Sequence, residues 1–146
     1  LQAGTFDAGY TLEPVATMMI KQGVARRLEA GVIATHLLGR VDAQAFAAGG
    51  TLSGKLVSEK PQVAARYAQA WAKAVKDVMT DPKAREYLAK LNVAPDLIPI
   101  IPLAKLTMVK DLTAIDYSDF QKFVNIGVEQ GVVKGAIDVK SFLKSF

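Results

Sequence analysis

The chain contains no cysteine, which excludes disulfides, thiolate metal sites and a cysteine nucleophile. The lack of stray thiols suits any redox compartment, including an oxidising one. Histidine occurs once, as His36, so a two-histidine metal site is excluded. With Thr35 beside it, His36 stands as an acid–base group or, more simply, as a structural or surface histidine. The phosphate loop G-x-x-x-x-G-K-[ST] and the dinucleotide fingerprint G-x-G-x-x-G are both missing, and the spacing of Gly49, Gly50 and Gly54 fits neither. No nucleophile elbow occurs either: Ser53 precedes Gly54 but follows Leu52. No apolar run reaches the roughly 18 to 20 residues that cross a bilayer. The longest, Val93 to Leu106, is interrupted by Pro95, Pro99 and Pro102. The first residues have no basic region followed by an apolar core, so they do not read as a signal peptide. They also lack a starting methionine, which leads to the expectation of a processed chain or a fragment. No catalytic residue, metal or cofactor is expected, and the chain does not read as an enzyme.

The chain carries 146 residues, 51% of them hydrophobic and 22% charged. That balance belongs to a folded chain rather than a disordered one. Its net charge is +4 and its isoelectric point about 9.3. The basic residues are scattered, with only Arg26 and Arg27 adjacent, and no aromatic–basic interleaving marks a strand-binding groove. A nucleic-acid partner is therefore not expected.

The stretch from Phe46 to Met79 organises the rest. It opens on the pair Gly49-Gly50, continues through Thr51–Val57 as a short extended segment, and enters its longest helical pattern at Pro61, where a first-turn proline loses no intrahelical hydrogen bond. Val63, Tyr67, Trp71, Ala74, Val75 and Val78 recur with a helical period and predict a stripe that docks on a core. Before this stretch, Tyr10-Thr11-Leu12 reads as strand, Glu13-Pro14 as the start of a helix that stops at Gly23, and Val24–Leu28 as a second strand. Such a strand–helix–strand unit is the building block of an α/β sheet. Val32-Ile33-Ala34 is a further strand candidate. After the long helix, Asp81-Pro82 restarts a helix carrying Ala84, Tyr87, Leu88 and Leu91 inward and ending near Asn92. Ile100 to Val109 reads as a packed irregular connection. Ser118 and Gln121 have capping-box spacing ahead of a helix with Phe120, Phe123, Val124 and Val128 on its buried face, which Gly131 stops. Asp138 caps a last short helix with Val139, Phe142 and Leu143 on its apolar side.

Three stretches are site candidates. In the first, Gly9–Pro14, Tyr10 and Thr11 offer an aromatic wall and a hydroxyl at the end of a strand, and Glu13 offers an acceptor. Ligands of open α/β sheets sit at such strand ends. The alternative is that Glu13 complements the helix N-terminus and Tyr10 is core. In the second, Gln44–Ala47, Phe46 is a ligand wall or a core residue. The third, Leu97–Leu103, is better explained by packing. Glu13 and Asp42 are also candidates for paired carboxylates.

GTFDAGYTLEPVATMM resembles the stretch of the nitrate/sulfonate/taurine-type substrate-binding proteins of ABC transporters in which a short strand runs into a helix opened by Glu-Pro. GGTLSGKLVSEKPQVAARYAQAWAKAVKDV is similar to that family's return crossing, with Leu56 where the family often has phenylalanine. MVKDLTAIDYSDFQKFVNIGVEQGVV is similar to its late helix. The resemblance implies an α/β, two-lobed clamshell of the type II periplasmic-binding-protein kind, of which this chain is an incomplete C-terminal portion dominated by helices. Residues 1–45 would finish the second lobe, and residues 46–146 would form the return crossing and outer helices of the first. It implies an extracytoplasmic, periplasmic receptor that holds a small anion or polar organic (a sulfonate, nitrate or a pyrimidine precursor) and delivers it to a membrane permease. Tyr10, Thr11 and Glu13 match the cleft-facing turn, and Gln44 and Phe46 the hinge. The partner expected for exposed surface is a missing N-terminal half or a second copy. The alternatives are an enzyme like the related pyrimidine-precursor synthases, in which His36 would be the reactive group, and a helical interaction module built on the long helix.

Overall fold

A computed structural model describes all residues except Ala45 and Ala47. Helices dominate it: α1 (Val15–Lys21), α2 (Gly54–Glu59), α3 (Pro61–Thr80), α4 (Ala114–Glu129) and α5 (Val139–Phe142). A π-helical segment spans Ile33–Leu38, and 3₁₀ segments span Pro82–Leu91 and Val109–Asp111. Among the described residues there is no strand, and no helix is long and apolar enough to cross a membrane.

The four strand expectations fail for local reasons. The carbonyl of Leu12 accepts from the Ala16 N–H, so Tyr10–Leu12 feeds the start of α1 rather than a ladder. Val24 and Ala25 both donate to the carbonyl of Met19, closing the end of the same helix. Ile33 and Ala34 belong to the π-helical segment, whose end is turned by Gly39 at φ 81°, a conformation that glycine adopts without steric cost. Within Thr51–Val57, the Ser53 Oγ accepts from the Leu56 N–H at 3.2 Å and caps α2. A serine cap ahead of helix-forming Lys55 and Leu56 outweighs a β-preference that rests on Thr51 and Val57.

The chain forms two compact units. One is built from Leu1–Ala30 and Lys76–Lys105. Here Leu97 and Ile101 are buried. The Lys21 ammonium pairs with the Asp96 carboxylate and also donates to the Asp96 carbonyl at 3.2 Å, tying α1 to the segment after the first 3₁₀ helix. The Arg85 guanidinium donates to the Ile101 carbonyl from Nη1 at 3.0 Å and Nη2 at 2.6 Å, and to the Pro99 carbonyl at 3.4 Å. Those bonds satisfy carbonyls of a proline-interrupted segment that regular structure leaves unpaired. Asp81 caps the 3₁₀ helix as expected, accepting from the Lys83 N–H at 2.9 Å, and Asn92 ends it at φ 60°. Tyr87 and Leu91, expected inward, are exposed. Three residues per turn put Arg85 and Leu88 on one face and rotate Tyr87 off it; Leu91 falls on that face too but lies at the exposed end of the segment.

The other unit combines Gly31–Val75 and Leu106–Phe146. Ala34, Leu38 and Ala43 are buried together with Phe123 packed against them. The Gln121 side chain joins α4 to the start of α5: its Nε2 donates to the Ile137 carbonyl at 2.8 Å and its Oε1 accepts from the Val139 N–H at 2.9 Å. Val139 is buried there, whereas Phe142, expected beside it, is exposed. The capping box of α4 is formed by Thr113 and Asp116, not by Ser118 and Gln121. The helix starts earlier because Thr113 has the extended backbone that a cap requires. Phe120, Phe123, Val124 and Val128 are half-buried, in line with the expected face.

The largest difference lies on α3. Ala64 is fully buried, Ala68 and Ala72 follow at helical spacing, half-buried, and of the expected stripe Val75 and Val78 are half-buried as well. Val63, Tyr67 and Trp71, expected to dock, are 40%, 47% and 42% exposed. The apolar arc of this helix is wider than one stripe, and small side chains permit the closest approach of backbone to neighbour, so the alanine side is the one covered.

Candidate functional site

The expected site residues fall into the two units separately. In the first unit, Tyr10 is 65% exposed and Thr11 is exposed, with its hydroxyl donating to the neighbouring Leu12 carbonyl at 3.5 Å. Glu13 is engaged within the chain. Its Oε2 accepts from the Thr17 N–H at 3.0 Å, in the first turn of α1, and its Oε1 accepts from Arg27 Nη2 at 2.7 Å. The reading of Glu13 as a complement to the helix N-terminus therefore describes its contacts. Partial burial pushes its carboxyl up, but hydrogen bonds from Thr17 and the charge of Arg27 outweigh burial and hold it below its ordinary value.

Next to this pair lies an open groove of about 380 Å³, bordered by Thr17, Ile20, Lys21, Arg27, Ile100 and Pro102. Two cations, a threonine, two isoleucines and a proline line it. Each cation already has a carboxylate neighbour, Glu13 for Arg27 and Asp96 for Lys21. The Lys21 ammonium in turn holds Asp96 below its ordinary value. Such pairs keep the cations oriented while leaving further N–H donors for a small anion. Arg27 is not among the site residues that the sequence predicts. The signal that marks it is its place in the chain's one adjacent basic pair, just beyond the glycine that ends α1.

In the second unit, Gln44 and Phe46 stand beside α4. The Gln44 N–H donates to Asp119 Oδ2 at 3.4 Å. The Phe46 ring lies 5.3 Å from that of Phe120, tilted by 48°. Phe46 thus packs as a core aromatic does. Ala45 and Ala47 of the same candidate stretch lie outside the described residues. Asp119 is buried and also accepts from Arg40 Nη1 at 3.2 Å, while Arg40 Nε donates to Asp42 Oδ1 at 3.1 Å. The Arg40 hydrogen bond lowers the Asp42 carboxyl below its ordinary range. The two carboxylates considered as a pair, Glu13 and Asp42, lie in different units, and each has an arginine as its partner. His36 is exposed on the π-helical segment. Among the described residues, no group of three acidic or histidine side chains is close enough to hold a metal ion. The Leu97–Leu103 stretch serves packing through Leu97 and Ile101, and it also lends Ile100 and Pro102 to the groove.

No protein-family description, no curated protein and no solved structure matches this chain.

Proposed function

We propose that the chain is the C-terminal part of an extracytoplasmic solute receptor for an ABC importer. It binds a small anion or polar organic and passes it to the membrane permease. The observation that carries this reading is the groove lined by Arg27 and Lys21, each set by a carboxylate, together with Ile20, Ile100 and Pro102, beside the Glu13–Thr17 helix start. Paired donors and apolar side chains in one groove suit a sulfonate or carboxylate on a short hydrocarbon body. The ordered resemblance of the three quoted stretches supplies the two-lobed α/β clamshell, with residues 1–45 in its second lobe and 46–146 in its first. Tyr10, Thr11, Gln44 and Phe46 contact the solute only once the remainder of the clamshell closes on them.

Mass spectrometry of the source polypeptide, followed by a melting screen with taurine, nitrate, bicarbonate and pyrimidine precursors, tests this reading. A mass near twice 15.7 kDa and a ligand-linked rise in melting temperature that Arg27→Ala removes are expected. The absence of any such rise in the whole polypeptide overturns it.

A second reading, a helical interaction module, is favoured by two observations. Among the described residues there is no strand, and the longest helix leaves its aromatic side open.

A further inference from the structure

A pocket of about 490 Å³ lies between α4 and the start of α5, within the second unit, and shares no residue with the groove at Arg27. Tyr117, Ser118, Gln121, Lys122 and Asn125 border it from α4, where a helical period puts them on one side of the helix. Asp138 and Lys140 border it from the start of α5.

Its polar atoms are set by a relay whose direction the backbone fixes. The Val139 N–H can only donate, so the Gln121 Oε1 that accepts it at 2.9 Å is the carbonyl end of that amide. The other end, Nε2, donates to the Ile137 carbonyl and to Asn125 Oδ1, each at 2.8 Å. With its oxygen taken, Asn125 keeps the two N–H donors of Nδ2, which have no partner among the described residues. Two bonds running from the backbone of α5 therefore orient a donor group at the pocket. The remaining groups sort by the same accounting. Lys122 places its ammonium on the Leu38 carbonyl at 2.9 Å and leaves its methylene stem as wall. Asp138 Oδ1 accepts from the Lys140 N–H at 3.0 Å, which leaves Oδ2 as an acceptor. The Lys140 ammonium stands 5.9 Å from the centre of the Tyr117 ring, a contact that orients it without using its three N–H donors. The hydroxyls of Tyr117 and Ser118 have no partner among the described residues.

We infer that this pocket binds a small polyhydroxylated monocarboxylic acid. The carboxylate takes the Lys140 ammonium and the Asn125 amide, because charge-assisted bonds are the strong ones. The hydroxyls of the ligand exchange bonds with Ser118, Tyr117 and the free oxygen of Asp138, a set that both donates and accepts. The ionic groups around the pocket, Lys122, Lys140 and Asp138, sum to a single positive charge, which a monoanion matches. A dianionic phosphate exceeds that charge and meets the Asp138 carboxylate as well. A neutral sugar leaves the ammonium unpaired. The inference is independent of the solute-receptor reading, which concerns the groove at Arg27.

Isothermal titration calorimetry of the chain with D-gluconate and with sorbitol compares two probes that share their hydroxyls and differ in the carboxylate. Gluconate is expected to bind saturably and at least about tenfold more tightly than sorbitol. Lys140→Gln removes that preference. Ser118→Ala, at an exposed position outside the α4 cap, weakens gluconate about threefold. Asn125→Asp keeps the oxygen that Gln121 needs and turns the donor into a second acceptor, so it weakens gluconate about tenfold or more while the melting temperature stays near that of the parent. Gluconate that fails to bind the parent chain at millimolar concentration overturns the proposal. So does sorbitol or inorganic phosphate that binds as tightly as gluconate, and so does a gluconate affinity that Lys140→Gln and Asn125→Asp leave unchanged. Gluconate binding that Arg27→Ala removes overturns it too, because the acid then occupies the groove of the first unit.

Discussion

Arg40 and Asp119, 79 residues apart in sequence, meet at 3.2 Å, and the carboxylate they share with the Gln44 N–H is buried. The pair fastens the segment after the π-helix to the middle of α4. Lys122 Nζ repeats the connection one turn further on, donating to the Leu38 carbonyl at 2.9 Å. Replacing Asp119 by alanine takes the acceptor from the Gln44 N–H and leaves Arg40, 42% exposed, with Asp42 alone. A loss of about 1 kcal/mol is expected, read from the midpoint of urea unfolding. Asp119→Asn, which keeps an acceptor, loses less. A variant as stable as the parent contradicts this role.

Gly50 and Trp71 are in close contact, so the glycine holds the indole in place. Gly50→Val pushes the ring out toward solvent. The expected results are a red-shifted tryptophan emission and a loss of about 1–2 kcal/mol from overpacking. Unchanged emission means that the ring does not rest on Gly50.

Glu13 sets a pH dependence. Its folded carboxyl lies below the ordinary value, because hydrogen bonds from Thr17 and the Arg27 charge outweigh burial. The stability it contributes is therefore complete above the unfolded value of about 4.3, and is lost as pH falls through the lower, folded value. Melting temperature measured from pH 7 to pH 2 is expected to decline less steeply in Glu13→Gln than in the parent over the acid limb. Identical slopes refute the assignment.

Thr113 and Ser118 are two hydroxyl residues near one helix start, and only the first caps it. The Thr113 Oγ1 accepts from the Asp116 N–H at 3.2 Å, and Asp116 Oδ2 accepts from the Thr113 N–H at 2.8 Å. Thr113→Ala is expected to cost about 1 kcal/mol, whereas Ser118→Ala stays within about 0.5 kcal/mol. Thermal unfolding followed by circular dichroism compares the two, and the reverse order contradicts the assignment.

The starts and stops of helices were legible where their chemistry is local. Pro61 opens α3, Asp81 and Asp138 cap the helices that follow them, and Gly131 stands just past the end of α4. Ser118 misled because its spacing to Gln121 satisfies the same pattern as Thr113 with Asp116, and a spacing alone does not tell which residue has extended backbone. The strands misled because Val24–Leu28 and Thr51–Val57 carry β-preferring residues whose backbone groups find nearer partners in α1 and α2. Of the candidate site residues, Glu13 and Phe46 were legible as residues with two possible roles, and tertiary structure added their contacts with Arg27 and Phe120, which no local pattern encodes.

The sequence by itself determined what this chain lacks, cysteine chemistry and a run long enough to span a bilayer, and where its helices are punctuated, because both depend on neighbours within a few residues. Tertiary structure alone decided which half of the α3 arc is covered, that Arg27 and Lys21 border one groove, and that Asp119 is buried against Arg40. Periodicity states that a face is apolar. What lies against that face is set by chain that is distant in sequence, and no local pattern encodes it.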